Sequence, residues 1–292
     1  LVASAGDITL NDGTVTGDSA VSASGTGSIL VDAEAGNVVV NADITSGTGD
    51  ITLKADLAMT FNVGVDVVTA SAGTISLDAE GAALSMHGTS NVTATGSSLR
   101  VAGETNVTIG NLTGTNVSVV SRTGAIVNAS ASSKNVTATN LRLAAAGAIA
   151  ASDRHLSIDV TKVSANSTGT GTAGIYLTED DGVTVDTVSV SVDEYTGGAT
   201  ATVVTDGAQA DLSTGNNGNI VLVATAGDIT LNDGSDTDTF AIRAHGSGNI
   251  LVDALAGDVI ANADVVSTTG HITVKAGTDI EVNASVDVST GT

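Results

Sequence analysis

The sequence predicts an all-β protein, an elongated parallel β-helix (β-solenoid) of about 20–25 residues per coil, right-handed because β-crossovers overwhelmingly are. Three observations predict it. The stretch Ala5-Gly6-Asp7-Ile8-Thr9-Leu10-Asn11-Asp12-Gly13 returns unchanged as Ala226-Gly227-Asp228-Ile229-Thr230-Leu231-Asn232-Asp233-Gly234. Between the two copies a shorter phrase recurs, a Gly and a polar residue followed by an apolar–polar–apolar triplet or a short apolar run. Examples are Gly27-Ser28-Ile29-Leu30-Val31-Asp32, Gly49-Asp50-Ile51-Thr52-Leu53-Lys54, Gly73-Thr74-Ile75-Ser76-Leu77-Asp78 and Gly270-His271-Ile272-Thr273-Val274-Lys275. The third observation is composition. β-Branched Val, Ile and Thr dominate, aromatics are 1% of the chain, and there is no Pro to remove a ladder donor. Such a chain suits a thin core of many similar layers rather than one built on aromatic anchors.

Residues 1–71 align without a gap with residues 222–292 at an offset of 221, and 40 of the 71 positions are identical. The chain therefore reads as one complete long repeat, residues 1–221, followed by the first third of the next, residues 222–292. No true domain boundary separates them. Inside the long repeat the first coils read as residues 5–26, 27–48 and 49–72. The second of these shows two strands, Ile29-Leu30-Val31 and Asn37-Val38-Val39-Val40-Asn41-Ala42. Alternation of Ile8 and Leu10, or Ile51 and Leu53, with Thr is the period of a strand with one buried face. Gly6, Gly27, Gly49, Gly73, Gly227, Gly248 and Gly270 mark the corners, and the expected reason is that Gly adopts positive φ without steric cost. Asn-Asp-Gly and the Asp180-Asp181-Gly182 run are turn signals of the same kind.

The middle of the chain is less regular. Leu141-Arg142-Leu143, Ile149 and His155 to Val160 read as one longer coil with a bulge or loop. Residues 164–174, a Ser/Thr/Gly run, read as an exposed loop, and residues 193–217 as a second excursion before Gly218-Asn219-Ile220 restarts the pattern. About 13 coils at ~4.8 Å each would span roughly 60 Å. Open strand edges at both ends would invite further pairing. The chain starts at Leu1 and stops in mid-pattern at Thr292, so the reading is a piece of a longer protein, its ends continuing into more repeats or docking head-to-tail on another copy.

The formal net charge is -23 with only nine Lys and Arg, which excludes nucleic acid and an anionic membrane surface as natural partners. No apolar run is long enough to span a membrane. The lack of Cys excludes disulfides and thiolate metal sites. An acidic surface keeps long assemblies apart by self-repulsion and can recruit divalent cations.

The phrases Gly49-Asp50-Ile51-Thr52-Leu53-Lys54-Ala55 and Gly270-His271-Ile272-Thr273-Val274-Lys275-Ala276-Gly277-Thr278-Asp279-Ile280-Glu281-Val282-Asn283-Ala284 resemble the repeats of filamentous-haemagglutinin-like adhesins. The resemblance covers both ends of the chain and weakens between about residues 140 and 215. It implies a right-handed parallel β-helix, secretion, an extracellular location at the bacterial cell surface, and adhesive or scaffold work. The secretion domain that usually opens such proteins is not in this sequence.

Candidate chemistry is sparse. Carboxylates cluster at Glu179-Asp180-Asp181 and Asp193-Glu194, hard oxygen donors of the kind Ca²⁺ takes, with Asp233, Asp236 and Asp238 near the second long-repeat start. No window matches a calcium-binding nonapeptide or an EF-hand loop. Asp236 aligns with Val15 and Asp238 with Gly17, which favours turn chemistry there. Asp153-Arg154-His155 is the one acid–base–imidazole cluster, while His245 and His271 align with Ser24 and Asp50. Asn-x-Ser/Thr triplets at Asn91, Asn111, Asn128, Asn135, Asn283 and elsewhere are read as parts of polar ladders rather than as glycan acceptors. The function read from the sequence is structural, the shaft of a secreted filament or adhesin, with no catalytic residues and no cofactor beyond candidate calcium. Its partners would be further copies of itself, end to end. A glycan- or receptor-binding module using residues 164–174 and 193–217 is the alternative, and a β-helix carbohydrate-active enzyme a second one.

Overall fold

The structure, a computed structural model, describes residues 1–14, 17, 19–130, 134–198 and 200–291. Among these residues every regular element is a strand, and no helix is long and apolar enough to cross a membrane. The chain is a β-solenoid of parallel stacked coils, about 12 turns in all. Its residues gather into two compact units: residues 1–124, 128–137 and 190–206 in the first, residues 125–127, 138–189 and 207–292 in the second.

In the first unit each coil contributes three strands, which stack into three parallel ladders. The first ladder holds Val2–Ala3, Ile29–Ala33, Ile51–Ala55, Ile75–Ala79 and residues 99–103 and 117–121. The second holds Ile8–Leu10, Val38–Val40, Met59–Phe61, Leu84–Met86 and Val107–Ile109. The third holds Val21–Ala23, Ile44–Ser46, Asp66–Thr69 and residues 91–94 and 111–114. That third strand is absent from the two-strand sequence reading. Pieces such as Ile44-Thr45-Ser46 are three residues long and show no resolvable period.

In-register pairing places like residues over one another. Ile29, Ile51, Ile75, Leu99 and Val117 form one column, and Val31, Leu53, Leu77, Val101 and Val119 the next. All these inward side chains are buried, so each apolar layer is covered by the layers on either side. The few large side chains, Met59, Phe61 and Met86, sit in the second ladder and are buried as well.

The second unit repeats the scheme. Its first ladder contains residues 156–158, Ile175–Glu179, Ile220–Ala224, Ile250–Ala254 and Ile272–Ala276. Val183–Val185, Ile229–Leu231, Val259–Ala261 and Ile280–Val282 lie in the second. Residues 165–167, Leu212–Thr214, Phe240–Ala244, Asp264–Ser267 and Val288–Thr290 lie in the third. The long-repeat offset of 221 is also a structural offset: Ile29–Ala33, Val38–Val40 and Ile51–Ala55 correspond to Ile250–Ala254, Val259–Ala261 and Ile272–Ala276.

Coil length varies more than the short period suggests. Register partners are 22 residues apart from Ile29 to Ile51, 24 from Ile51 to Ile75, 18 from Leu99 to Val117, and 45 from Ile175 to Ile220. The long coil carries a hairpin, Val188–Tyr195 with Ala201–Gln209. The expected excursion at residues 193–217 therefore starts earlier and ends sooner, because Leu212–Thr214 is already back in the ladder; Ala199 is outside the described residues. The expected loop at residues 164–174 is corrected too. Ser164 and Ser167 are fully buried in the strand Leu156–Ser167, and only the following residues turn. The bulge or loop expected in the longer coil falls between the strands Val136–Ala145 and Leu156–Ser167, where Ile149 makes isolated bridges and Ala150 has φ 61°.

The corner glycines act by closeness more than by conformation. Only Gly6 and Gly227, equivalent across the long repeat, have positive φ, 84° and 69°. Gly27, Gly49 and Gly73 instead stack, and a Cβ on Gly49 would overlap the Gly27 carbonyl while one on Gly73 would overlap that of Gly49. Gly248 meets Gly218 and Gly270 meets Gly248 in the same way. Hydroxyls close three of these corners. Ser46 Oγ donates to the Gly27 carbonyl (2.8 Å), Thr69 Oγ1 to Gly49 (2.7 Å) and Ser267 Oγ to Gly248 (2.7 Å), while Ser46 and Ser267 accept the amides of Gly49 and Gly270.

Outside the core, side-chain amides run in ladders of their own. Asn41 Nδ2 donates to Asn11 Oδ1 (2.7 Å) and Asn62 to Asn41; in the second copy Asn262 donates to Asn232 (2.9 Å) and Asn283 to Asn262 (2.5 Å). Asn111 donates to Asn91, which donates to Asp66. Asn128 and Asn135 are buried and bonded to one another. Of the triplet asparagines, Asn91, Asn111 and Asn283 are ladder residues. Backbone and side-chain amides of Asn37 both reach Asp7 Oδ1, holding that carboxyl below the usual carboxylate range.

The glycine stack yields a direct test. Gly49→Ala is expected to lower stability by about 1–3 kcal/mol through overlap with the Gly27 carbonyl. Gly13→Ala, where a Cβ meets nothing within 4 Å, is expected to stay within about 0.5 kcal/mol. Chemical denaturation followed by circular dichroism separates the two; equal effects would remove the packing role of the stack.

Candidate functional site

Asp193 and Glu194, two of the calcium candidates, belong to the hairpin and bind the first unit's own side chains. The alternation Val188-Ser189-Val190-Ser191-Val192 gives this strand one apolar face, and Val190 and Val192 are buried. The strand runs over the outward face of the first ladder. Thr74 Oγ1 accepts the Asp193 amide (2.9 Å), Ser76 Oγ donates to Glu194 Oε2 (3.0 Å), and Thr52 Oγ1 accepts the Tyr195 amide (3.0 Å). Lys54 lies between Glu80 Oε1 (2.9 Å) and Glu194 Oε1 (3.5 Å). Outward residues that the strand period assigns to solvent are buried as a result: Thr52 0%, Ser76 1% and Ser118 0% exposed.

The same packing encloses a charge network. Arg100 Nη1 donates to Asp78 Oδ2 (2.9 Å) and its Nε to both oxygens of Asp206 (3.2 Å each), while Arg122 Nη2 reaches Asp78 Oδ2 (2.6 Å). Burial pushes the Asp78 carboxyl up, and the guanidiniums of Arg122 and Arg100 more than reverse it, holding it below the usual range. The carboxylates of Glu194 and Asp206 thus have cationic or hydroxyl partners, whereas Asp193 is held by Thr74 through its backbone.

The other calcium candidates lie in the second unit. Carboxylate oxygens of Glu179 and Asp181 come together with one of Asp159, all within 4.8 Å, while Asp180 stays outside the group. Glu179 is fully buried at the end of the strand Ile175–Glu179. Its Oε1 accepts the amides of Val160 and Asp180, each at 3.1 Å. Desolvation nevertheless pushes its pKa up to about 8. A buried carboxyl whose oxygen already accepts two backbone amides is a structural group more than a cation ligand. His155, the imidazole of the Asp153-Arg154-His155 cluster, bonds Thr178 Oγ1 through Nδ1 (2.9 Å) and leans on the Tyr176 ring at 5.8 Å. Burial lowers its pKa.

A third acidic group arises where the chain returns from the hairpin. Asp211, just before Leu212–Thr214, meets Asp236 and Asp238 of the turn that precedes Phe240–Ala244, again within 4.8 Å. The turn carboxylates were visible in the sequence, but Asp211 was not among the candidates. Its one local signal is the polar run Gln209-Ala210-Asp211 before a short strand, and nothing local relates it to a turn 25 residues on.

No protein-family model, curated protein or solved structure matches this chain. The likeness to filamentous-haemagglutinin-like repeats rests on the coil phrase alone.

Two outcomes follow from these groups. Arg100→Met leaves Asp206 without its cation and Asp78 with Arg122 alone, and is expected to cost about 3–5 kcal/mol in denaturation experiments. Glu80→Ala, at an exposed pair, should cost less than about 1 kcal/mol. The Glu179 carboxyl is raised in the folded state, from 4.5 to about 8. Its contribution to stability is therefore full below the unfolded value and lost as pH rises through the folded one. The thermal midpoint should fall between about pH 5 and 8.5, and Glu179→Gln should make that fall shallower. An unchanged pH slope would show that Glu179 titrates as an ordinary carboxylate.

Proposed function

We propose that the chain is a structural repeat segment of a secreted bacterial filament or adhesin shaft, located outside the cell and stacked end to end on further copies of the same coil. The observation that carries this reading is the coincidence of the two periods. Residues 222–292 repeat the sequence of residues 1–71, and they repeat their strands, glycine stack and asparagine ladder as well. A unit whose structural period equals its sequence period can be stacked indefinitely without changing the contacts inside it.

The surface supports the same reading. A net charge of -23 disfavours lateral clumping, whereas the outermost coils leave apolar residues open. Leu1 and Val2 are 65% and 47% exposed at one terminus, and Ile280, Val282 and Val288 are 51%, 48% and 42% exposed at the other. Mechanical continuity would come from backbone ladders and stacked Val, Ile and Leu columns. The hairpin adds a tie across neighbouring coils of the first unit.

Electron microscopy of the natively secreted material tests this. Long uniform fibres with an axial spacing of ~4.8 Å are the expected result, and short discrete particles would overturn it. In solution, Ile280→Asp with Val282→Asp should abolish any concentration-dependent association of the 292-residue chain seen by sedimentation.

A further inference from the structure

Asp211 is only 5% exposed, and its Oδ1 is buried with no hydrogen-bond partner. It lines a pocket of about 410 Å³ together with Asn166, Thr187, Gln209, Asp236 and Asp238. Every one of these residues belongs to the second unit. No Lys or Arg lines the pocket among the described residues, so the carboxylates meet no cationic side chain there. The backbone holds the group in place. Asp211 sits at φ 64° with its carbonyl accepting the Ala165 amide (2.8 Å), and Asp238 Oδ1 accepts the Phe240 amide (3.0 Å). Asp233 Oδ1 accepts the amide of Thr239, itself at φ 106°.

We propose that Asp211, Asp236 and Asp238 form a binding site for a hard divalent cation, Ca²⁺. Two oxygens on one Ca²⁺ ion at about 2.4 Å can be separated by at most about 4.8 Å, the limit that the three carboxylates satisfy. The amide oxygens of Asn166 and Gln209 and the Thr187 hydroxyl are further hard donors on the same pocket wall. The remaining volume accommodates the waters that complete six to eight ligands. Burial and the charges of Asp236, Asp238 and Asp233 push the Asp211 pKa up to about 8, an electrostatic cost that a bound cation would reverse. The ion would tie the return from the hairpin to the turn of the following coil. The site belongs to one place in the long repeat, since Val15 and Gly17 stand where Asp236 and Asp238 would recur.

Calorimetric titration of the chelator-treated 292-residue chain with CaCl₂, with the thermal midpoint read in parallel, tests the site. One saturable site with a Kd at or below about 1 mM and a higher midpoint is expected. Asp211→Asn and, on the exposed side, Asp238→Asn should each weaken binding about tenfold or more, while Asp181→Asn leaves it unchanged. Absence of saturable heat, binding indifferent to both Asp211→Asn and Asp238→Asn, or binding lost with Asp181→Asn would overturn it. Asp238 is exposed, so its variant keeps the test decisive if Asp211→Asn does not fold.

Discussion

The closeness of glycine to glycine at the corners is the constraint that the rest of the structure depends on. Coils can pair strand on strand only at the β-sheet spacing, and at Gly49 and Gly73, or Gly218, Gly248 and Gly270, that spacing leaves no room for a Cβ. At Gly27, Gly49 and Gly248 the corner carbonyl accepts a Ser or Thr hydroxyl. With corners locked in register, the apolar columns and the asparagine ladders follow, because identical offsets place identical residues over one another. Coils of 18, 24 or 30 residues are all accommodated, since extra length is spent in turns while the three ladders keep their register.

The hairpin departs from this logic and has the larger energetic consequence. It covers polar residues that a bare solenoid would present to water, and it brings Asp206 and Glu194 to Arg100 and Lys54. Enclosing such pairs has a desolvation cost, so their worth is greatest as a specification of where the hairpin lies. An insertion held in this way is part of the packing, which weakens the case for the hairpin as a free binding loop. Asp211, at the point where the insertion rejoins the coil, keeps a buried carboxylate oxygen without a hydrogen bond, as do Asp12 and Asp78.

The strands, their inward residues and the long repeat were legible in the sequence because each depends on short-range periodicity. Ile29, Ile51 and Ile75 could be placed in one column from spacing alone, and Gly49 and Gly270 could be placed at corners. The reason for the corner glycines was not legible. Positive φ is a property of one residue, whereas overlap with Gly27 depends on a neighbouring coil 22 residues away. The third strand of each coil was lost for a different reason: three residues carry too little pattern to stand out.

What the sequence determined by itself is the repeating element: β-strands, glycine corners, an acidic surface and a 221-residue period. These are local or strictly periodic, so they survive without knowledge of any contact. Tertiary structure alone decided which carboxylates are neutralised and which are not. Asp206 finds Arg100 across 106 residues and Glu194 finds Ser76 across 118, while Asp211 is left facing Asp236 and Asp238. The physical reason is that a charge acts through its three-dimensional neighbours, and an insertion that breaks the short coil period offers no spacing from which to predict them.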